Sequence, residues 1–419
     1  MYILPSFITY YEEDSNIYVH SKLLQNTVKL TAPAIQKEFL SIIQHGGCPE
    51  LSTPLTQFLH EQELLIDEAE NKGVLEKARQ LLQNVLLLTI MPTEGCNFRC
   101  PYCYEDHTPI SMTRQMINQL QAFISAQAPN FPFINISWFG GEPTLCKDII
   151  LETSALILSL QTKYHFQYTA SMTTNGYLLN RENFQQFYSA GITNYQITLD
   201  GWNHDKTRPH VSGKGTLQTI LANLVSLSTL PKEEYPFHII LRHNILANDE
   251  DYSWYDHLYK LFGADTRFAV SVVPVDDWGG ESVQSLDLLE GKQKQSLVSA
   301  HIAYLDRIGM AKESPESGLF SNICYASYPH GFVFRANGKI EKCTIIQDHP
   351  KNLVGHLDPD KGVTLDETAN QPWCCSELKP ECYSCPDVLS CFNMQCKRHT
   401  IVNGCESRCS RKPTPYIQQ

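Results

Sequence analysis

The feature that most restricts this sequence is a group of three cysteines, Cys96, Cys100 and Cys103, separated by three and by two residues. They follow the apolar run from Val85 to Met91, which predicts a buried strand with the cysteines on the loop at its carboxyl end. Three thiolates can hold three irons of a [4Fe–4S] cluster and leave the fourth iron open for a small molecule. A structural zinc site with His107 as a further ligand is the alternative.

Composition limits the class of protein. The 419 residues carry a net charge of −12 at pH 7, which argues against nucleic acid as the main partner. No apolar run is long enough to cross a membrane, and the first ten residues lack the basic residues of a signal peptide. Fifteen cysteines in such a chain favour metal thiolates in a reducing compartment over disulfides, so we expect a cytoplasmic protein with no membrane partner.

The first 84 residues predict a small module of their own. Three short strand-like runs precede two helical runs, at 7–11, 17–20, 27–30, 32–45 and 54–62. This order suggests a winged-helix-like module. It serves either as a packing appendage or as a site where a peptide adds a strand to an exposed sheet edge.

Residues 85–290 alternate between strand-like and helical patterns. The strand-like runs are 85–91, 133–139, 168–174, 195–200, 237–244 and 267–273. Alternation of this kind predicts an α/β fold with a parallel sheet, and six units predict a partial (β/α)6 barrel. Active sites of such folds lie at the carboxyl ends of the strands, where the polar motifs of this chain also lie.

The last quarter of the chain differs in composition. A helical bridge, residues 291–320, separates the barrel from residues 321–419, which hold ten of the fifteen cysteines. This shift predicts a cysteine-rich C-terminal domain.

A second motif narrows the interpretation of the three cysteines. Gly140, Gly141 and Glu142 end the second predicted strand, where two glycines permit close backbone approach and the carboxylate can accept bonds from an ammonium. Together with the three cysteines, this turn resembles the radical S-adenosylmethionine (radical SAM) superfamily. The resemblance implies a [4Fe–4S] cluster and bound SAM, with Tyr102 as the aromatic residue before the last cysteine and the Gly-Gly-Glu turn at the methionine amine.

The resemblance implies further SAM contacts at the later strand ends. The candidates are Thr174, Asn175, Thr198, Asp200, Arg242 and Asn244. Thr174 and Asn175 bind the ribose or form only a polar turn, and Arg242 clamps the methionine carboxylate or forms a structural salt bridge. Thr198 and Asp200 belong to a Thr-Leu-Asp-Gly block, followed by His204, Asp205 and Arg208, that resembles a block of radical SAM peptide-modifying enzymes.

The C-terminal cysteines resemble the SPASM domain, which houses two auxiliary [4Fe–4S] clusters; one or two zinc knuckles are the alternative. Carried over by position, one cluster uses Cys382, Cys385, Cys391 and either Cys405 or Cys409, and the other uses Cys324, Cys343 and Cys396. Cys396 stands one residue later than the family pattern has it. The second set lacks a fourth thiolate, so its cluster has an open iron or is completed by Cys374 or Cys375.

These resemblances imply a peptide maturase. Its expected partners are a ribosomally made precursor peptide, with the leader on the N-terminal module, and a small reductase such as flavodoxin or ferredoxin. The expected product is a carbon–carbon (cyclophane) or thioether crosslink, with Asp276 or Asp277 as the base unless these residues only form a solvated turn. The alternatives are an anaerobic sulfatase-maturating enzyme, which forms formylglycine, and a non-enzymatic iron–sulfur electron-transfer scaffold.

Overall fold

The computed structural model describes residues 1–247, 249–280, 282–311, 320, 323–374 and 377–404. The chain divides into two compact units. The terminal unit combines residues 1–83 with the described residues of 315–329 and 372–413, and the sheet unit combines the described residues of 84–314 with 330–371. This division differs from the four expected segments because the C-terminal part of the chain contributes to both units.

The N-terminal part of the terminal unit contains two small sheets and three helices. Strand β1 (Tyr2–Ile3) pairs with β5 (Ile66–Asp67), and β2 (Ile8–Glu13), β3 (Asn16–Ser21) and β4 (Asn26–Leu30) form an antiparallel sheet. The helices are α1 (Pro33–Gln44), α2 (Pro54–Glu61) and α3 (Glu68–Gln80). Val19 and Phe39, neither of them exposed, join the β2–β4 sheet to α1 in one hydrophobic core.

Six parallel strands in chain order form the centre of the sheet unit. They are β6 (Val85–Ile90), β7 (Phe133–Trp138), β8 (Gln167–Thr174), β9 (Ile192–Thr198), β10 (His238–Ile245) and β11 (Phe268–Pro274). Each pairs in parallel with the next. The expected α/β fold with six strand–helix units is thereby confirmed.

Helices connect these strands. They are α4 (Arg114–Gln127), α5 (Lys147–Tyr164), α6 (Arg181–Ser189), α7 (His204–Thr207), α8 (Leu217–Ser228), α9 (Ser253–Phe262) and α10 (Gly291–Ile308). Helix α4 shows why they form. Thr113 caps its first turn by accepting a hydrogen bond from the Met116 backbone, and its apolar positions Ile117, Leu120 and Ile124 are buried.

The sheet continues on the other side of β6. Strand β12 (His330–Phe334) lies parallel to β6, and β13 (Lys339–Glu341), β14 (Leu353–Asp358) and β15 (Gly362–Leu365) follow in antiparallel order. Residues 330–371 thus complete the sheet unit, although the sequence placed them in the cysteine-rich domain. A parallel pairing between strands so distant in sequence has no local signal.

The C-terminal helices are α11 (Glu367–Cys374), α12 (Val388–Cys391) and α13 (Arg398–Asn403). Within the terminal unit, Leu389 and Phe392 pack in one hydrophobic core with Phe7 and Leu75 from the start of the chain. The N-terminal module and the cysteine-rich segment therefore share a core. None of the helices in the described part of the chain is long and apolar enough to cross a membrane.

Candidate active site

The two glycines of the Gly-Gly-Glu turn pack against the loop that leads into the cysteines. A Cβ on Gly141 would lie 2.4 Å from the Gly95 carbonyl oxygen, and Gly140 has a φ of +111°. The backbone N–H of Glu142 donates to the Gly95 carbonyl at 3.0 Å. Any side chain at these positions would therefore displace the cysteine loop.

Glu142 is fully buried, and its carboxylate joins two strand ends. One oxygen accepts bonds from the Thr144 backbone N–H (3.0 Å), the Thr144 hydroxyl (2.6 Å) and the Thr174 hydroxyl (2.6 Å). The other accepts the Asn175 backbone N–H at 2.7 Å. These donors compensate a buried carboxylate. All four come from the protein, so a bond from Glu142 to the methionine amine stays a prediction.

Asn175 extends this connection to the cysteine loop. Its side-chain amide donates to the Asn97 side-chain oxygen at 2.7 Å, and Asn97 lies between the first two cysteines. Its own oxygen accepts the Tyr177 backbone N–H at 2.9 Å, which forms the expected polar turn. The ends of β7 and β8 thus fix the cysteine loop from two sides.

Tyr102 is at the centre of a second buried network. Its hydroxyl donates to the Asp200 carboxylate at 2.5 Å and accepts bonds from Arg208 (2.8 Å) and Asn244 (3.1 Å). Asn244 also donates to Asp200 at 3.3 Å and accepts a bond from Arg242 at 2.8 Å. The structure therefore brings together four of the predicted site residues, with Arg208 in addition.

Residues of the Leu-Asp-Gly block hold this network in place. The Asp200 backbone N–H donates to His204 at 3.1 Å. Burial, with Arg208 adding to the effect, lowers the pKa of His204 to about 4, so the ring is neutral at pH 7. Asp205 accepts the backbone N–H groups of Thr216 (2.7 Å) and Leu217 (2.9 Å) at the start of α8.

The segment after α7 also contacts the cysteine loop through its backbone. Arg99 donates to the Pro209 carbonyl and Val211 donates to the Asn97 carbonyl, both at 2.9 Å. This pairing is antiparallel and places the His210 ring centroid 6.0 Å from that of Phe98. Residues 209–211 thus form a short strand-like cover over the first half of the cysteine loop.

The three thiols lie partly buried on this loop. Burial raises the pKa of Cys96 to about 12 and also raises the pKa of Cys100 and Cys103. The Phe98 backbone N–H points at the Cys96 sulfur at 3.3 Å. Three thiols that share one loop, with an amide donor on sulfur, match the donor set of a [4Fe–4S] cluster, whose iron would hold them as thiolates. No three His, Cys, Asp or Glu side chains of the described residues are placed to hold one metal ion.

A comparison with known families interprets this geometry. Residues 90–230 match the sequence profile of the radical SAM superfamily. These residues form a radical SAM domain. Such a domain is the catalytic part of an enzyme that uses a [4Fe–4S] cluster and SAM, and Cys96, Cys100 and Cys103 are the residues of this chain that fit the cluster.

Curated relatives match part of the chain. The chain is similar to molybdenum cofactor biosynthesis protein 1 of Dictyostelium discoideum, with 30% identity over 37% of this chain and 24% of the relative. It is similar to the GTP 3',8-cyclase of Haemophilus ducreyi, with 30% identity over 41% of this chain and 49% of the relative. The chain thus spans less than half of the length of either relative. The GTP 3',8-cyclase of Psychromonas ingrahamii is 27% identical over 56% of this chain and 73% of the relative.

Two solved structures share the fold over most of this chain. One is anSMEcpe with bound AdoMet and Cp18Cys peptide, which is 16% identical, covers 76% of this chain and 90% of its own, and has a TM-score of 0.51. The other is SuiB of Streptococcus suis, which is 14% identical, covers 96% of both chains and also has a TM-score of 0.51. At these identities the likeness concerns the fold alone.

The remaining predicted SAM contacts of the radical SAM domain lie at strand ends. Thr198 is buried as the last residue of β9, and Arg242 lies on β10 opposite it in register. Arg242 has no ion-pair partner among the described residues, so the expected structural salt bridge does not occur there. Its bond to Asn244 leaves the role at the methionine carboxylate a prediction.

Sequence reasoning missed a buried carboxyl group beside the last cysteine. Burial, with the nearby Glu94 carboxylate adding to the effect, raises the pKa of Glu105 to about 8. Glu94 itself pairs with the buried Arg335 at 2.9 Å. Arg335 follows β12, so only the unforeseen pairing of β12 with β6 brings it to the radical SAM domain.

The two candidate bases lie just after β11. Asp276 forms an ion pair with Lys294 of α10, and Asp277 is exposed and accepts the Gly279 backbone N–H at 2.9 Å. Gly280 packs against the loop, since a Cβ there would lie 2.6 Å from the Cys103 carbonyl oxygen. The segment is thus close to the cysteines, and Asp277 caps a turn, as the structural alternative expected.

The C-terminal cysteines follow a series of short turns. Cys382 lies in a 3₁₀ helix, Cys385 directly follows it and Cys391 ends α12. The Cys324 backbone N–H donates to the Met394 carbonyl at 3.1 Å, which brings Cys324 to the segment leading to Cys396.

Cys343 belongs to the sheet unit, so its joint ligation with Cys324 and Cys396 stays a prediction. Its backbone amide and carbonyl are both bonded by the buried Asn352 at 2.8 Å. Cys374 ends α11. Cys375, Cys405 and Cys409 lie outside the described residues.

Proposed function

We propose that this chain is a radical SAM peptide maturase that removes a hydrogen atom from a precursor peptide and installs an intramolecular crosslink. The observation that carries the proposal is a radical SAM site combined with an N-terminal antiparallel sheet whose outer strands, β2 and β4, each have an unpaired side among the described residues. The fold shared with SuiB over 96% of both chains supports the same reading, as does the peptide held by anSMEcpe.

Bound SAM and the reduced cluster supply a 5'-deoxyadenosyl radical, which takes a hydrogen atom from a carbon of the peptide. This chain positions both reactants. Cys96, Cys100 and Cys103 would hold the cluster, and the polar groups described above on β8, β9 and β10 would contact SAM. A carbon–carbon or thioether bond then forms with loss of one proton and one electron.

The proton and the electron need separate acceptors. Asp276 lies on the segment whose Gly280 touches the cysteine loop, and it is our candidate for the base. The C-terminal cysteines would hold an auxiliary cluster that could accept the electron and pass it back to the reductase. Net crosslinking therefore removes two hydrogen atoms from the peptide, which a mass spectrum detects directly.

The register of the small sheet defines which edge groups face outward. Asp14 and Ser15 form a two-residue turn with φ values of 48° and 60°, so Glu13 and Asn16 form the hydrogen-bonded pair that closes it. Counting from this pair, the N–H of Glu12 on β2 and that of Lys29 on β4 point away from β3. A peptide that adds a strand would accept bonds from one of these edges.

A proline at a position whose N–H points away from β3 removes one hydrogen-bond donor from the sheet edge and keeps the backbone hydrogen bonds to β3. The test uses synthetic peptides encoded by small open reading frames beside the gene and compares Glu12→Pro and Lys29→Pro with Glu12→Ala and Lys29→Ala. We expect one proline variant to weaken peptide binding by about tenfold, the worth of one well-formed hydrogen bond, while its alanine control binds normally. Equal binding by all four variants would contradict strand addition.

One assay separates the competing activities. The reduced full chain is incubated with SAM and, in separate reactions, with the flanking peptides, a sulfatase-motif peptide and GTP. A peptide mass lower by two hydrogens supports the proposal, whereas formylglycine or a cyclised GTP product would replace it. An electron-transfer scaffold would release no 5'-deoxyadenosine in any reaction.

A further inference from the structure

Arg208 is a buried cation with too few partners. Its side chain is 9% exposed, and one terminal nitrogen donates to the Tyr102 hydroxyl at 2.8 Å. Within the described part of the chain, its Nε atom is buried and has no hydrogen-bond partner. Burial of a guanidinium is unfavourable unless anions compensate it, and the Asp200 carboxylate reaches this one only through the Tyr102 hydroxyl, so the position favours a further negative group.

The guanidinium lies against the cysteine loop. Its central carbon is 5.7 Å from the centroid of the Phe98 ring, and its bonded partner is Tyr102. Phe98 and Tyr102 are the two residues that lie two positions before and two positions after Cys100. The charge of the Cys100 thiolate, if formed, would act on Arg208 more strongly than that of Asp200 does.

Its position is fixed by backbone contacts. The Arg208 N–H donates to the His204 carbonyl at 2.7 Å, and its carbonyl accepts the Thr216 hydroxyl at 3.0 Å. Asp205 accepts backbone bonds at the start of α8 and so holds Thr216. Because its backbone is fixed in this way, Arg208 keeps its positive charge beside the cluster site whether the cluster is oxidised or reduced.

We propose that Arg208 is the counterion of the cluster held by Cys96, Cys100 and Cys103, and that its positive charge raises the reduction potential of this cluster. One-electron reduction adds a negative charge to the cluster, and a fixed cation nearby favours the more negative state. Arg208 is thus a positioning residue that eases electron entry from the reductase. The inference concerns the cluster alone and is independent of the peptide substrate.

Arg242 provides a matched control on the next strand. It is also an arginine of the Tyr102 network, yet its Nε is bonded to Asn244 at 2.8 Å. The charged groups that act on it are Tyr104, Tyr102, Asp200 and Arg208, and no cysteine is among the largest of them. Removal of its charge should therefore have little effect on the cluster in the absence of SAM.

The test is a potentiometric titration of the reconstituted full chain, followed by electron paramagnetic resonance without SAM and without peptide. The signal of this cluster is the one that Cys100→Ala removes, and dithionite and titanium(III) citrate serve as reductants. At the wild-type midpoint, we expect Arg208→Gln to reduce the reduced fraction severalfold. Arg208→Lys should stay close to wild type, as should Arg242→Gln.

Arg208→Met covers the case in which Arg208→Gln does not fold, because an apolar side chain of similar length leaves no buried polar group unpaired. It should show the same shift to more negative potential. The inference is overturned if the neutral variants keep the wild-type midpoint, or if Arg208→Lys shifts as far as they do. Because the titration contains no peptide, its result does not depend on the outcome of the crosslinking assay.

Discussion

The two cysteine regions of this chain are built in different ways. The loop from Cys96 to Cys103 is held by the ends of several strands, with Glu142, Asn175 and Asp200 contributing buried hydrogen bonds. The segment from Cys382 to Cys396 consists of short turns whose internal backbone bonds span three or four residues, with two further bonds from the backbone of Phe320 and Cys324. Its apolar residues pack in the core that it shares with the N-terminal module. A site held by strand ends depends on polar contacts, whereas a site held by turns depends on apolar packing beneath it.

The largest expected effect separates the chemistry of the two regions. Cys100→Ala should lower the release of 5'-deoxyadenosine by more than about 100-fold, beyond what loss of a supporting residue usually causes. It should leave the iron at the C-terminal cysteines in place. Cys385→Ala should do the reverse, with iron lost and SAM cleavage retained.

Iron content per chain and 5'-deoxyadenosine by chromatography check this pair of variants. Cys48→Ala is the control, because Cys48 lies in neither region. Loss of SAM cleavage in Cys385→Ala to the level of Cys100→Ala would mean that the two regions are not separate in function.

The next effect tests the shared core of the terminal unit. Leu75 of α3 is completely buried against the same core as Leu389. Leu75→Ala should destabilise the protein by about 3 kcal/mol, from lost apolar burial plus a cavity. It should also weaken iron binding at Cys382, Cys385 and Cys391, although Leu75 lies more than 300 residues before them in sequence.

Denaturant unfolding and iron content measure this effect, with Leu81→Ala as the control, because Leu81 is 42% exposed and should change stability little. Unchanged iron binding in a destabilised Leu75→Ala protein would show that the segment from Cys382 to Cys396 binds iron without support from the shared core.

A polar change should affect the other region. Glu142→Gln replaces an acceptor of four bonds by a side chain that can accept with only one oxygen. We expect a loss of about 2 kcal/mol in the free energy of unfolding and weaker iron binding at the loop. Glu152→Gln, which removes an exposed pair with Arg114, should cost less than about 0.5 kcal/mol. Similar unfolding curves for both variants would remove Glu142 from the support of the loop.

The smallest expected effect is a pH dependence of stability, and it tests the region around the loop from Cys96 to Cys103. His204 has a pKa of about 4 in the folded chain and 6.5 ordinarily, so the unfolded chain binds the extra proton first as pH falls. Stability should therefore drop by about 1 kcal/mol between pH 7.5 and pH 5.5 on account of this ring. His204→Asn, which keeps an acceptor for the Asp200 N–H, should remove that part of the slope. Parallel stability–pH curves for the two proteins would rule out His204 as its source.

The sequence predicted much of the sheet unit because its signals are local. The runs at 85–91 and 133–139 correspond to β6 and β7. Strand patterns and an N-cap such as Thr113 act within a few residues. The three cysteines and the Gly-Gly-Glu turn were recognisable for the same reason, since each motif lies on one loop.

The roles within the site were not foreseen. In the structure Gly140 and Gly141 approach the backbone of residues 93–95, and their expected approach to a ligand stays a prediction. Glu142 was expected at an ammonium, and its four observed partners are protein groups. Residues 93–95 follow β6, and two of the partners of Glu142, Thr174 and Asn175, lie at the end of β8. A single sequence does not show which strand ends meet.

Sequence alone determined the class of fold, the order of its six strand–helix units and the cysteines that suit an iron–sulfur cluster. Only the tertiary structure decided that β12 joins β6, that the N-terminal module shares a core with the cysteine segment, and that Arg208 lies beside Cys100. The physical reason is the range of the interactions. Hydrogen-bond patterns and apolar periodicity are encoded within one element, whereas packing and buried charges depend on which elements the folded chain brings together.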